Sequence, residues 1–260
     1  MSLPPFENAD FEMTSVPDPH WQPGSGATNN DWAKYKKVEL DPYAEGRLPF
    51  ENYKLLVSAI TPRPIGFIST VGKDGTRNLS PFSYFTIVNH DPPVFTIGIS
   101  GATGNLKDTC KNLQDTEECT INLVSEWFIE AANYTCINAP YEVDEWKLAG
   151  LTPVESSKVK PPHVAESAFS IEGKLIHTHY FKSKKDPSKG SGTTLLVEGV
   201  NFHIREDIAD EKFTTVDISK LKPVARLGGN VYSRVLQGFD IPRPDFKSEI
   251  SKHPEVSKLL

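Results

Sequence analysis

The chain has 260 residues, enough for one sizeable hydrophobic core with an added arm. Apolar residues at 38% and charged residues at 24% fit an ordinary soluble globular protein, and no apolar stretch nears the ~18 residues of a membrane span. A formal charge of -6 makes nucleic acid a poor partner, and three cysteines with no CxxC argue against a disulfide framework or zinc site and favour a reducing, cytoplasmic compartment.

Residues 1–50 carry prolines, glycines and the scattered aromatics Phe6, Phe11, Trp21, Trp32 and Tyr35, with no sustained period. They read as an N-terminal arm that packs on the main body or on a second subunit, rather than as a disordered tail. The opening MSLPPFENADFEMT has no basic region followed by an apolar run, so no secretory signal is expected. The main domain is expected over 51–240, with 241–260 as a C-terminal tail.

Within that domain Ile65 to Val71 reads as a strand, Lys73-Asp74-Gly75-Thr76 as a hairpin turn, and the return strand begins near Arg77. Val94 to Ile99 and Cys119 to Val124 read as further strands. Between them Leu106, Cys110 and Leu113 fall on one face of a short amphipathic helix over 105–118. Ala168 to Phe181 alternates, a polar turn follows at 186–192, and Thr193 to Ile204 returns, giving a long hairpin with a basic, solvated tip. Val256 to Leu260 is a minor helix or tail. Strands with hairpin connections and few helices point to a mainly β, antiparallel barrel or sandwich.

Three stretches carry unusual residue choices. Thr61-Pro62-Arg63-Pro64 fixes the backbone around one arginine, and Ser69-Thr70 closes the strand that follows. Asn78-Leu79-Ser80-Pro81-Phe82-Ser83 mixes small polar and aromatic groups, as a segment wrapping a flat, partly polar ring would. After Gly98 a glycine loop leads into a helix start with Asn105, Lys107, Asp108 and Thr109, where free amides and positive charge suit a phosphate. Each stretch alone is also compatible with ordinary structure. No Walker or dinucleotide fingerprint and no G-x-S-x-G elbow occurs. His177, His179 and His203 read as ordinary strand histidines rather than metal ligands, and Cys136 as a structural rather than a reactive thiol.

Taken together, TPRPIGFIST (61–70), DGTRNLSPFSYF (74–85), DPPVFTIGI (91–99), NLKDTCKNLQDTEECTINLV (105–124), DEWKLAGLT (144–152), VKPPHVAESAFSIEGKL (159–175) and PVARLGGNVYSR (223–234) resemble the flavin reductase-like FMN-binding family. The resemblance covers roughly residues 50–235 in order and leaves the arm outside. It implies an FMN-binding split β-barrel, antiparallel and Greek-key-like, with a few short helices. It also implies a homodimer with FMN near the interface and NAD(P)H as electron donor.

By position, the resemblance lines the flavin with Ser69, Thr70, Ser83 and the backbone of Asn78, Leu79, Ser80, Pro81 and Phe82. It brings Lys107 and Thr109 to the phosphate, with Asp108 or Asn105 organising the loop. Arg63, Arg226 and Tyr232 are further candidates near the site. No side chain is assigned as catalytic acid or base. The implied activity is an NAD(P)H-dependent flavin oxidoreductase passing electrons to a small-molecule acceptor. A partner-reduced FMN carrier and a pyridoxamine-phosphate-oxidase-like enzyme are the alternatives.

Overall fold

Asp74-Gly75 makes the turn its residue types imply: Gly75 sits at φ +85, and the Asp74 carboxylate accepts from the Thr76 amide at 3.0 Å. The computed structural model, which describes residues 3–101 and 106–253, joins through this turn β2 (Gly66–Val71) and β3 (Arg77–Phe82). Around them, in chain order, lie β1 (Glu12–Met13), α1 (Pro49–Ala59), β4 (Phe85–His90), β5 (Pro93–Ser100), α2 (Asp108–Thr116) and β6 (Glu118–Leu123). Then follow α3 (Ile129–Tyr134), α4 (Glu145–Ala149), β7 (Pro153–Val154), β8 (His163–Val164), β9 (Phe169–Lys182) and β10 (Gly190–Ile204). The chain continues through α5 (Ile218–Leu221), β11 (Val224–Arg226), β12 (Tyr232–Arg234), β13 (Gln237–Gly238) and α6 (Phe246–Lys252).

Seven strands form one antiparallel sheet in the order β3-β2-β6-β9-β10-β5-β4. Its two edges, β3 and β4, are consecutive in sequence and joined only by Ser83 and Tyr84. The three Cα–Cα steps from Phe82 to Phe85 span at most ~11 Å. The sheet must therefore curl until its edges nearly meet, which makes it a barrel with a slot along one side. Pro81 lies in β3, where a missing N–H on the unpaired side costs no ladder bond.

The curl sorts the side chains. Ile68, Phe85, Phe95, Ile97, Ile121, Ile171, Leu195 and Val197 converge inside the barrel, which α2 plugs with Cys110 and Leu113. Each such fully buried side chain stabilises by roughly 1.5–3 kcal/mol. The opposite face of β2 and β3 presents Phe67 and Leu79 to a second core with Phe128, Trp146 and Val164, under α3 and α4. The helix expected over 105–118 spans Asp108–Thr116 and ends where Glu117 turns left-handed at φ 60. Asn105 lies outside the described residues.

Residues Glu45–Val235 form one compact unit, and Met1–Ala44 with Leu236–Leu260 a second. In the second unit β1 runs parallel to β13, and Gly238 lies against the Phe11 ring, where a Cβ would come within 2.7 Å. The expected C-terminal element at 256–260 lies outside the described residues, and α6 precedes it. No helix among the described residues is long and apolar enough to cross a membrane.

Candidate functional site

The site grows from a buried polar network that ties β2, β3, α2 and α4 together. Thr109 Oγ1 donates to Asn78 Oδ1 at 2.6 Å, and Asn112 Nδ2 to Thr70 Oγ1 at 3.3 Å. The Asn78 side-chain amide and the Leu79 backbone amide both donate to Glu145 Oε2, at 3.4 and 3.3 Å. Asp144 caps α4 by accepting from the Trp146 amide at 3.1 Å, and Arg77 Nη2 reaches its other oxygen at 2.5 Å. Burial pushes the Glu145 carboxyl above its ordinary range, against the hydrogen bonds it accepts.

On this network opens a cavity of ≈ 370 Å³, lined by Asn78, Ser80, Lys107, Asp108, Thr109 and Glu145, and by the loop from Thr135 to Tyr141. The Lys111 amide bonds the Lys107 carbonyl at 3.0 Å. The amides of Asp108, Thr109 and Cys110 precede it and have no partner within the helix. Lys107, at the N-cap, is exposed. An anion is suited to this helix end. Burial raises the Asp108 carboxyl, and Lys111 and Lys107 partly offset that.

A second cavity of ≈ 160 Å³ opens at the slot, lined by Pro81, Phe82, Ser83 and Tyr84 with Arg63, Arg226, Tyr53 and Tyr232. Cys136 lines both cavities, so they adjoin. Cys136 is an exposed residue, yet partial desolvation of its thiol holds it above its usual range, and Arg226 and Lys107 pull it back.

The expected site residues thus divide. Asn78, Ser80, Lys107, Asp108 and Thr109 meet at the first cavity; Arg63, Pro81, Phe82, Ser83 and Arg226 meet at the second. Ser69, Thr70 and Leu79 line neither. Strand alternation puts Ser69 on the Phe67 side of β2, away from the barrel interior, and its hydroxyl is buried without a hydrogen-bond partner among the described residues. Leu79 is core, and Thr70 acts through Asn78 and Asn112. Thr109 spends its hydroxyl proton on Asn78, so it is no free donor.

Sequence reasoning missed Glu145 and the loop 135–141. Glu145 follows a helix-capping aspartate in a run that reads as surface helix. The loop carries no period, and its importance comes only from the fold bringing it over α2. Tyr141 in that loop places its hydroxyl 3.2 Å from Asp74 Oδ1 and 3.1 Å from Asn112 Oδ1.

A split β-barrel with a polar, helix-ended cavity beside its slot defines the class. Residues 58–221 match the flavin reductase like domain, and the chain belongs to that family. It is 41% identical to an uncharacterized protein of Aquifex aeolicus over 181 residues, 69% of this chain and 88% of the relative. Nitrilotriacetate monooxygenase component B of Bacillus cereus superposes with TM-score 0.74 at 30% identity, covering 80% of this chain and 100% of that one. The 2-nitrobenzoate 2-nitroreductase of Pseudomonas fluorescens gives 0.70 at 25% identity, covering 81% and 98%. A split-barrel protein of Shewanella frigidimarina, at 20% identity and TM-score 0.62 over 77% of this chain and 94% of its own, matches in fold alone.

Proposed function

We propose that this protein binds one FMN along the two adjoining cavities and acts as an NAD(P)H-dependent flavin oxidoreductase, as a cytoplasmic homodimer. The observation that carries the reading is the continuity of the two cavities at Cys136, with a helix start at one end and the Pro81-Phe82-Ser83 segment at the other. FMN needs a single anion site, a polar groove for a polyol and a partly polar surface for a flat ring. The residues present fit that demand. First-turn amides with no partner inside the helix and Lys107 suit the phosphate, Asn78 and Ser80 suit the polyol, and Ser83 beside Phe82 suits the ring edge.

When bound, FMN supplies the redox centre for hydride exchange between a nicotinamide and an acceptor. The chain's own part is placement. Glu145 and Thr109 fix Asn78, and through it the β3 backbone, while the slot leaves one side open to a second ring. The names of the Bacillus and Pseudomonas proteins, a monooxygenase component and a nitroreductase, accord with redox chemistry on this barrel.

Purified protein should show flavin absorbance near ~450 nm that bleaches on anaerobic addition of NADH or NADPH alone. A yellow protein that bleaches only with a reducing partner would replace the enzyme by a partner-reduced FMN carrier. Lys107→Ala should weaken FMN by about 10-fold or more while leaving riboflavin affinity nearly unchanged. Equal losses for both flavins would remove the phosphate from the helix start.

A further inference from the structure

A buried carboxylate lines the very cavity that suits an anion. Glu145 is only 5% exposed, and it shares that cavity with Lys107 and the first turn of α2. The partners the fold gives it are neutral. The Asn78 side-chain amide and the Leu79 backbone amide both donate to Oε2, at 3.4 and 3.3 Å, long for N–H···O bonds. Among the described residues no cation forms an ion pair with Glu145, and the Arg77 guanidinium is held by Asp144 instead, at 2.5 Å.

The groups around Glu145 leave its charge uncompensated. From α4 comes Asp144, and from β3 the Arg77 that Asp144 holds. From α2 and its cap come Asp108 and Lys107, and from the loop over α2 come Cys136 and Tyr141, the latter bonded to Asp74 and Asn112. The helix α3 packs against α4 and carries Glu130 and Tyr134, both exposed. Burial raises the Glu145 carboxyl, and the negative charges of Asp108 and Asp144 raise it further. Asp108 is the second carboxylate on the cavity. It is half-buried, and Lys111 and Lys107 offset the rise that burial causes, while Glu142 adds to it. Of the two, Glu145 is the one with no cation to balance it.

A phosphate monoester brings a charge of about −1.5 to −2 at pH 7. A carboxylate sharing its cavity is driven toward the neutral form, as when two acids share one site. Protonation also changes what Glu145 offers. A carboxylate only accepts hydrogen bonds, whereas the acid has an O–H to give to a phosphate or polyol oxygen. We propose that Glu145 takes up a proton from solvent as the FMN phosphate enters this cavity, and that it binds the ligand as a neutral acid. The inference rests on the flavin reading above, and it ties retention of the flavin to pH. A ligand that prefers the protonated form binds best at low pH. It loses affinity as pH climbs from the carboxyl value of the free protein to that of the complex.

The test is calorimetric titration of FMN and of riboflavin into the full-length chain freed of flavin. Buffers of different ionisation enthalpy are used at each pH from about 5 to about 8.5, so that the heat counts protons exchanged. FMN should bind with net proton uptake, and its affinity should fall by about 10-fold across the window of that uptake. Riboflavin, which lacks the phosphate, should show neither. Glu145→Gln keeps an acceptor for both amides and should lose the uptake, leaving only what the phosphate itself exchanges. Asp108→Asn should retain it. Uptake that survives in Glu145→Gln or disappears in Asp108→Asn would assign the proton elsewhere and overturn the proposal. Equal uptake with riboflavin on the wild type would overturn it without any variant. Tight FMN binding with no linked proton would defeat this proposal and leave the flavin reading standing, whereas a chain that binds neither flavin would defeat both.

Discussion

Glu172 shows how a fully buried carboxylate is held by hydrogen bonds. Burial alone would raise it. Asn201 Nδ2, the amides of Ser157, Lys158 and Val159, and His203 Nε2 all bond its oxygens, at 2.8, 2.9, 2.5, 3.0 and 2.7 Å. These bonds outweigh desolvation and hold the group at about 2. A depressed carboxyl stabilises the fold above its unfolded value and loses that contribution as pH falls toward the folded one. The wild type should therefore lose stability from about pH 4.5 down to about pH 2. Glu172→Gln should cost on the order of 3 kcal/mol at pH 7 and much less near pH 2, read from urea midpoints across pH.

Glu145 has the opposite sign. Its raised carboxyl favours the native state while protonated, and that advantage is lost as pH climbs from the unfolded value through the folded one. Glu145→Gln keeps an acceptor for the Leu79 amide and carries no charge. Its stability should lie flat across that window while the wild type declines, and a parallel decline in both would show that some other group is responsible.

Among the elements, those with a clear signal in the sequence were the ones carrying a compact apolar run, an alternation or a turn sequence. The Asp-Gly turn, β2, β5, β6, the β9–β10 hairpin and the α2 plug all carry period or turn chemistry that tertiary packing then uses. The antiparallel barrel was legible from these and from the order of the family blocks. Among those that escaped were α1 and β4. In α1 only Val57 is buried, and Phe50, Leu55 and Leu56 are exposed, so no single apolar stripe appears. In β4 every residue after Phe85 is exposed, so alternation is lost. The site was legible as residue types but not as geometry. Asn78 and Lys107 line the first cavity, whereas Ser69, read as lining a ring, has its side chain on the Phe67 side of β2 and lines neither cavity.

Element packing makes its own prediction at Gly173 of β9. A Cβ there would sit 2.4 Å from Val197 Cγ1, inside the barrel and opposite Gly199 of β10. Gly173→Ala should lower stability by about 1–3 kcal/mol without changing the urea m-value. A neutral result would mean that Val197 has room to swing aside.

For the whole molecule, the edge strand β4 leaves Ile87 58% and Val88 52% exposed, an apolar edge of the kind that recruits another chain. We expect it to lie in the contact of the homodimer proposed above. A lysine at Ile87 should shift sedimentation of dilute protein from dimer toward monomer. If residues of both copies touch the flavin, the same substitution should lower FMN affinity, and saturating FMN should pull the variant back to dimer. An Ile87→Lys protein that sediments as the wild type does at every dilution would place the contact elsewhere.

The connection through Ser83 and Tyr84 gives the slot the shape of a wedge. Its two lips are pinned together at one end by two residues, and the Gly98 amide clasps the Tyr84 carbonyl there at 2.6 Å. Toward Arg77 on one lip and His90 on the other, nothing in the chain's covalent path limits how far they part. Hinged motion at such an apex grades along each lip, so amide protons should exchange slowly near Phe82 and Phe85 and progressively faster toward the far ends. A molecule entering at the wide end would meet an adjustable aperture. One seated at the apex, beside Arg63, would meet a jaw whose width the polypeptide itself has set.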